Sequence, residues 1–237
     1  MRIGRRHVIF LQGYDPRGRA AYYRTFRGEL RKFGALYGLA PRISRPETSS
    51  DQLVTTWTID TENEDCHTHT VYDFLRWEDL VQRDRDVPAW RTIAHAVAIY
   101  SWLFVRGIVA RFIKAHWRFA AFITYPYVAL LAEMLLAGAA GFGVYAALTA
   151  LGSPIVAAAA LAALAFAGVF AALVIKGEPS TYMLYLMADT IFTYRFAHRK
   201  RPDWDERITR FAHHLVEVAR STDADELIVV GHSSGSF

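Results

Sequence analysis

Glu226-Leu-Ile-Val-Val-Gly231-His232-Ser233-Ser234-Gly235-Ser236-Phe237 is the stretch on which the fold turns. A short apolar run stops at Gly231, and Ser233 follows with Gly231 and Gly235 two residues to either side. This G-x-S-x-G spacing is that of an elbow: a strand, a sharp turn presenting the serine, then a helix. In so tight a turn, side chains at the two flanking positions would clash with neighbouring backbone, which is what the glycines avoid. A bare match arises by chance in roughly one chain in twelve of this length at ordinary Gly and Ser usage. The segments before it therefore decide.

Working back from the elbow, residues 227–230 are apolar throughout, the pattern of a strand buried on both faces of a parallel sheet. Residues 221–225 read as a turn. Before them Ile208, Phe211, Ala212, Leu215, Val218 and Ala219 form the apolar stripe of a helix over 203–220. Asp203 and Glu206 have the spacing of a capping box. From the other end, residues 8–11 read as a buried strand, broken by the Gly- and Pro-containing segment 12–18. Over 19–37 a helical period places Tyr22 or Tyr23, Phe26, Leu30, Phe33 and Tyr37 on one face. Arg24, Arg27, Arg31 and Lys32 lie largely away from it, on a solvated face. Residues 38–50 form a loop and 53–59 a second strand. Residues 60–70 read as a polar loop. There Asp65, Cys66, His67 and His69 have the side chains to hold zinc, but their spacing fits no pair-plus-pair signature, so a surface loop is expected and no metal or cofactor is assigned. Residues 71–81 read as a short amphipathic helix, with Phe74, Leu75, Trp77 and Leu80 or Val81 apolar.

Between these parts lies a different kind of sequence. The chain is 53% hydrophobic over 237 residues, and Ala, Leu and Gly crowd 127–175. Residues 127–150 hold one side chain charged at neutral pH, Glu133, and residues 154–175 hold none. At 1.5 Å rise per residue each is roughly 33–36 Å long, enough to cross a hydrocarbon core of about 30 Å. Gly152-Ser153-Pro154 forces the two into an antiparallel hairpin, with Gly138, Gly141, Gly143 and the alanines of 157–167 allowing close approach. Glu133 within the span is a functional candidate, set against a plainer reading as a carboxyl protonated or hydrogen-bonded between helices. Upstream, Trp102 and Trp117 accompany Arg106, Arg111, Lys114 and Arg118, the last three at one-face spacing, as in an interfacial helix. Residues 92–105 fit a core helix nearly as well. The net charge is +4, and the cations flank the apolar block, pointing to a membrane surface; no nucleic-acid motif accompanies them. Cys66 is the only cysteine, so no intrachain disulfide is available. Residues 8–11 are too short for a signal-peptide core. Lys176, Arg195, Arg199, Lys200 and Arg201 follow the hairpin and its turn carries no charge. The positive-inside rule then predicts both termini in the cytoplasm and the turn outside.

The order strand, helix, strand, helix, strand, Gly-His-Ser-Ser-Gly resembles the N-terminal portion of the α/β-hydrolase superfamily of serine esterases and lipases. The resemblance covers residues 7–62 and 203–237. It implies a partial α/β sheet of parallel strands with flanking helices, interrupted by the hairpin. The expected organisation is 1–62 and 203–237 as two parts of one hydrolase-like domain, 63–126 as an insertion with interfacial helices, 127–175 as the membrane hairpin and 176–202 as a helical connector. By the resemblance Ser233 is the nucleophile, and Ser234 N–H is one oxyanion donor. The second comes from Tyr14, with Gly13 next. Gln12-Gly13 stands where many members have His-Gly. In the family the acid and the histidine follow the serine, whereas Ser234 to Phe237 contain neither. The chain therefore reads as a fragment that is inactive by itself. His232 is turned away by the elbow, and His213 and His214 read as surface or packing residues. The expected activity of the whole is acyl transfer from an ester, thioester or lipid-like substrate at a bilayer. The alternatives are a non-catalytic membrane adaptor with a hydrolase-like domain and, last, a small transporter component resting on Glu133.

Overall fold

The computed structural model describes residues 3–62 and 67–236. It begins with strand β1 (Arg5–Leu11) and helix α1 (Gly18–Tyr37), followed by short strands β2 (Arg42–Ile43) and β3 (Glu47–Thr48). Strands β4 (Val54–Glu62) and β5 (His67–Leu75) come next, then helices α2 (Glu78–Arg85), α3 (Ala89–Val105), α4 (Ile108–Ala150), α5 (Ile155–Thr181), α6 (Met183–Ala197) and α7 (Pro202–Ser221). Strand β6 (Glu226–Gly231) and a 3-10 turn, Ser233–Ser236, close the chain. Two compact units result, one of Met1–Asp86 with Arg195–Phe237 and the other of Val87–Tyr194.

The first unit is built on a six-stranded sheet of order β2-β4-β5-β1-β6, with β3 alongside β4. The chain is α/β, as expected, but the sheet is mixed rather than parallel. β5, β1 and β6 run parallel, whereas β4 is antiparallel to β5 and to β2 and β3. Only residues 63–66 separate β4 from β5, too few for the crossover a parallel pair needs. β5 also corrects two readings. Residues 67–70, expected in a loop, and residues 71–75, expected in a helix, form this strand, and the helix starts at Glu78. Tyr72 and Phe74 alternate with Asp73, so the first two face α1 and the third faces α7.

α1 lays Tyr22, Tyr23, Phe26 and Leu30 on Phe10, Trp57, Ile59, Tyr72 and Phe74. The expected stripe runs on to Phe33 and Tyr37, but both are exposed and their rings lie 4.5 Å apart. The buried residue of that turn is Gly34, where an added Cβ would lie 2.6 Å from Pro41 Cδ. The returning loop, not the sheet, thus covers the end of the helix. On the opposite face α7 buries Trp204, Phe211 and Val218, with Trp204 and Phe211 against Trp77. Ala212 and Ala219, expected in the stripe, are exposed. Asp203 does not form the capping box. The N-cap position is Arg201, Pro202 opens the helix, and Asp203 receives two hydrogen bonds from the Arg201 guanidinium.

β6 pairs with β1 alone and forms the sheet edge. It is consequently not buried on both faces. Val229 is 49% exposed, and Val230, Gly231 and His232 are also exposed.

In the second unit, α4 and α5 are long and apolar enough to cross a membrane. Their turn has Gly152 at φ +79, and Pro154 leads into α5. Of the three glycines expected to bring the helices together, Gly141 does so: an added Cβ would lie 2.9 Å from Ala162 O. Gly138 and Gly143 face open space. Ala96 and Ile99 of α3, Leu130 of α4, Val174 of α5 and Met183, Met187 and Ile191 of α6 share one apolar cluster. α4 is broken at His116 (φ −160, ψ 90), so Arg118 does not continue the helical face of Arg111 and Lys114.

Candidate functional site around Ser233

The three parallel strands bring the β1 loop and the β6 turn together. Leu11 pairs with Gly231, and His232 N–H donates to Leu11 O at 3.0 Å. The chain then turns at Ser233, whose φ is +54. This left-handed conformation is costly for a residue with a Cβ. It ends the strand abruptly, leaving Ser233 exposed at the head of the 3-10 turn while Ser234 is buried.

Gly13 packs against this turn. A Cβ at Gly13 would lie 2.8 Å from Ser233 Cβ, closer than real Cβ atoms come, and 3.0 Å from His232 O, itself a tight contact. The loop is held from beneath. Trp77 Nε1–H donates to Gly13 O at 3.1 Å in a buried hydrogen bond. Among the described residues all peptides are trans, so fixing this carbonyl turns the N–H of Tyr14 the opposite way across the peptide plane. The Tyr14 ring is buried, its hydroxyl donates to Asp84, and it lies 6.3 Å from Trp204. Arg201, itself buried, bonds Asp84 and Asp203, each at 2.8 Å. These two carboxylates and the stacked indole of Trp204 compensate its desolvation.

Asp15 accepts from the backbone N–H and guanidinium of Arg17. Burial would raise its carboxyl pKa, but these bonds and the Arg17 charge outweigh burial and lower it. Gln12 is buried, and among the described residues its Nε2 has no hydrogen-bond partner.

A second polar group was not foreseen from sequence. Asp73, buried at mid-strand on β5, accepts from His7 Nε2 and His214 Nε2, each at 2.9 Å, and from Thr56 Oγ1 at 2.6 Å. Burial would raise the Asp73 pKa, but the three donors outweigh it and hold the carboxyl well below the ordinary range. The Asp73 hydrogen bond in turn raises the pKa of His214, against desolvation. His214 is therefore a bonded, partly buried residue, whereas its neighbour His213 is exposed. The cluster is not a triad with Ser233. Asp73 is level with Ile9 and Val229, and Ser233 lies four residues farther along, roughly 13 Å at strand rise.

Of the possible zinc ligands, Asp65 and Cys66 lie outside the described residues. His67 and His69 start β5, at the end of the sheet opposite the elbow, and His69 Nδ1 bonds Asp60 at 2.7 Å. Among the described residues no group of His, Cys, Asp and Glu is placed to hold a metal. Glu133 is buried in the second unit, and its Oε2 has no partner among the described residues. Gly235 and Ser236 continue the backbone of the 3-10 turn. Compared with known families, curated proteins and solved structures, the chain matches no family model, no curated protein and no solved structure.

Proposed function

We propose that the chain carries the nucleophile half of a serine hydrolase, anchored in a bilayer by the α4–α5 hairpin and acting on ester, thioester or lipid-like acyl groups. The observation that carries this reading is the pairing of a positive φ at Ser233 with the close approach of Gly13. A left-handed serine, exposed where it leaves the end of a strand and packed on a glycine of the neighbouring loop, is the arrangement of a nucleophile elbow.

In this reading Ser233 Oγ attacks the substrate carbonyl carbon and gives its proton to a base. The carbonyl oxygen becomes an oxyanion, which accepts hydrogen bonds from Ser234 N–H and from Tyr14 or Gly13 N–H. Collapse expels the alcohol or thiol, which takes the proton, and leaves an acyl-serine. Water then repeats the sequence to release the acid. His7 and His214 do not serve as the base: both are bonded to Asp73, which lies level with Val229, four residues and roughly 13 Å short of Ser233 at strand rise. In the superfamily that the chain resembles, the base and its acid follow the nucleophile in sequence. The apolar, exposed edge of β6 fits pairing with a further strand. Cations on both flanks of the hairpin support a cytoplasmic side for the sheet unit in this reading.

The test is labelling of the full-length protein with a fluorophosphonate, which needs an activated serine. Labelling that disappears in Ser233→Ala is expected. A folded full-length protein that takes up no probe sinks the proposal.

A further inference from the structure

The approach to the hairpin carries its charge in an unusual setting. Residues 87–132 contain no Asp or Glu, but they contain Arg91, Arg106, Arg111, Lys114 and Arg118. Arg106, Arg111, Lys114 and Arg118 are all exposed. None of the five enters an ion pair among the described residues. Three instead lie over a tryptophan next to them or one turn away: Arg91 over Trp90, Arg106 over Trp102 and Arg118 over Trp117, at 5.1, 5.9 and 5.5 Å.

Large apolar side chains stand open between these cations. Phe104, Val105, Ile113 and Trp117 are exposed, Val105 to 83% and Trp117 to 65%. The backbone is broken on either side of the short helical segment 108–115, by Gly107 at φ +66 and by His116. The segment, roughly 12 Å long at helical rise, thus changes direction before the apolar helix begins. Phe119 and Phe122, also exposed, open that helix.

We propose that residues 102–122 form a seat for phospholipids with anionic headgroups, in the leaflet that α4 enters. The inference rests on the bilayer reading of α4 and α5 but not on the hydrolase reading. Two properties of the surface select this occupant. Guanidinium and ammonium groups with no carboxylate partner among the described residues complement phosphate and an anionic headgroup; Arg111 donates only to Arg106 O, at 3.2 Å. Open Phe, Val and Ile side chains between them gain nothing from a nucleic-acid backbone or a free phosphate. They do gain from the boundary between headgroups and acyl chains, where an aromatic body is buried and its cation stays at the phosphate level. Continuity with the apolar run of α4 makes the same leaflet the adjacent medium.

The experiment uses the full chain reconstituted into nanodiscs of equimolar phosphatidylcholine and phosphatidylglycerol. The protein is then released in mild detergent, and the lipid retained on it is counted by mass spectrometry. Phosphatidylglycerol is expected to be enriched on the order of fivefold or more, since each cation near an anionic surface gains about 1 kcal/mol. The triple variant Arg106→Gln/Arg111→Gln/Lys114→Gln is expected to bring the ratio close to one. The charge-matched variant Arg83→Gln/Arg85→Gln/Arg220→Gln, at exposed positions of the sheet unit, is expected to keep the enrichment. Equal retention of both lipids by the wild type, or equal loss in both variants, overturns the proposal. So does a labelled oligonucleotide that binds the wild type in phosphatidylcholine discs and fails to bind the first variant. A protein that alkaline carbonate strips from the discs fails one step earlier, at the bilayer reading itself.

Discussion

Ser233 holds φ +54 with a Cβ attached, a conformation that costs about 1–2 kcal/mol in a residue other than glycine. The strain makes a prediction separate from catalysis. Ser233→Gly removes the hydroxyl and the strain, whereas Ser233→Ala removes only the hydroxyl. The glycine variant is expected to be more stable than the alanine variant by about 1 kcal/mol in chemical denaturation. Equal stabilities would mean that the turn is relaxed. The Asp73 cluster has a pH signature of its own. The raised pKa of His214 means that its contribution is complete below the free value of 6.5 and fades as pH climbs through the raised value. The lowered pKa of Asp73 means that its contribution is present above 3.8 and is lost as pH falls through the lowered value. His7 and Thr56 donate to the same carboxylate, and Glu217 and Asp51 add negative charge around His214. The apparent Tm should therefore be highest between about pH 4 and 6.5 and fall on the alkaline side. Asp73→Asn is expected to cost about 3 kcal/mol near pH 6, as breaking a buried ion pair does, and to flatten the alkaline decline. A decline from pH 6 to 8 that runs in parallel in both proteins would detach His214 from stability. Ser233 was legible in sequence because its glycines sit within two residues of it. The bond from His214 to Asp73 spans 141 residues, and nothing local in either segment marks it.

Elements with a full helical period were the easiest to read. α1 and α7 form close to where their apolar spacing puts them, because each has an uninterrupted polar face opposite an apolar one. The end of β5 and the residues after it satisfy two templates. Phe74, Leu75, Trp77 and Leu80 fit a helix face, yet Phe74 and Leu75 are buried on opposite sides of a strand covered by helices on both faces. The alternation of Thr68, Thr70, Tyr72 and Phe74 was the better guide. The hairpin shows the same limit: composition reveals two apolar helices but not which glycine meets the partner. Gly141 against the Ala162 carbonyl does, and Gly138 does not. Gly141→Leu should force α4 and α5 apart and lower stability in detergent by about 1–3 kcal/mol, the usual range for overpacking. Gly138→Leu should change it by less than about 0.5 kcal/mol, as at other open surface sites. Equal losses at the two positions would rule out the close approach at Gly141.

At the scale of the molecule, the sheet unit draws on both sides of the helical unit in sequence. An even number of crossings is the simplest arrangement that keeps both parts of the sheet unit on one side of a bilayer. The tight turn at 151–154 between α4 and α5 agrees, since it leaves no room for a further element. Orientation rests on charge. Arg106, Arg111, Lys114 and Arg118 precede the hairpin, Lys176 and Arg195 follow it, and the turn has no charged residue. Cations resist translocation, so the flanks are expected inside and the turn outside. Cys66 is the only native cysteine, and in a Cys66→Ser background single cysteines can report the side directly. Ser153→Cys, in the turn, is expected to react with a membrane-impermeant maleimide applied to intact cells. Ser221→Cys, at the exposed end of α7, is expected to react only after permeabilisation. The reverse pattern would invert the hairpin and put the sheet unit outside. Reaction of both cysteines in intact cells would mean that the two apolar helices do not cross, whatever their length and hydropathy.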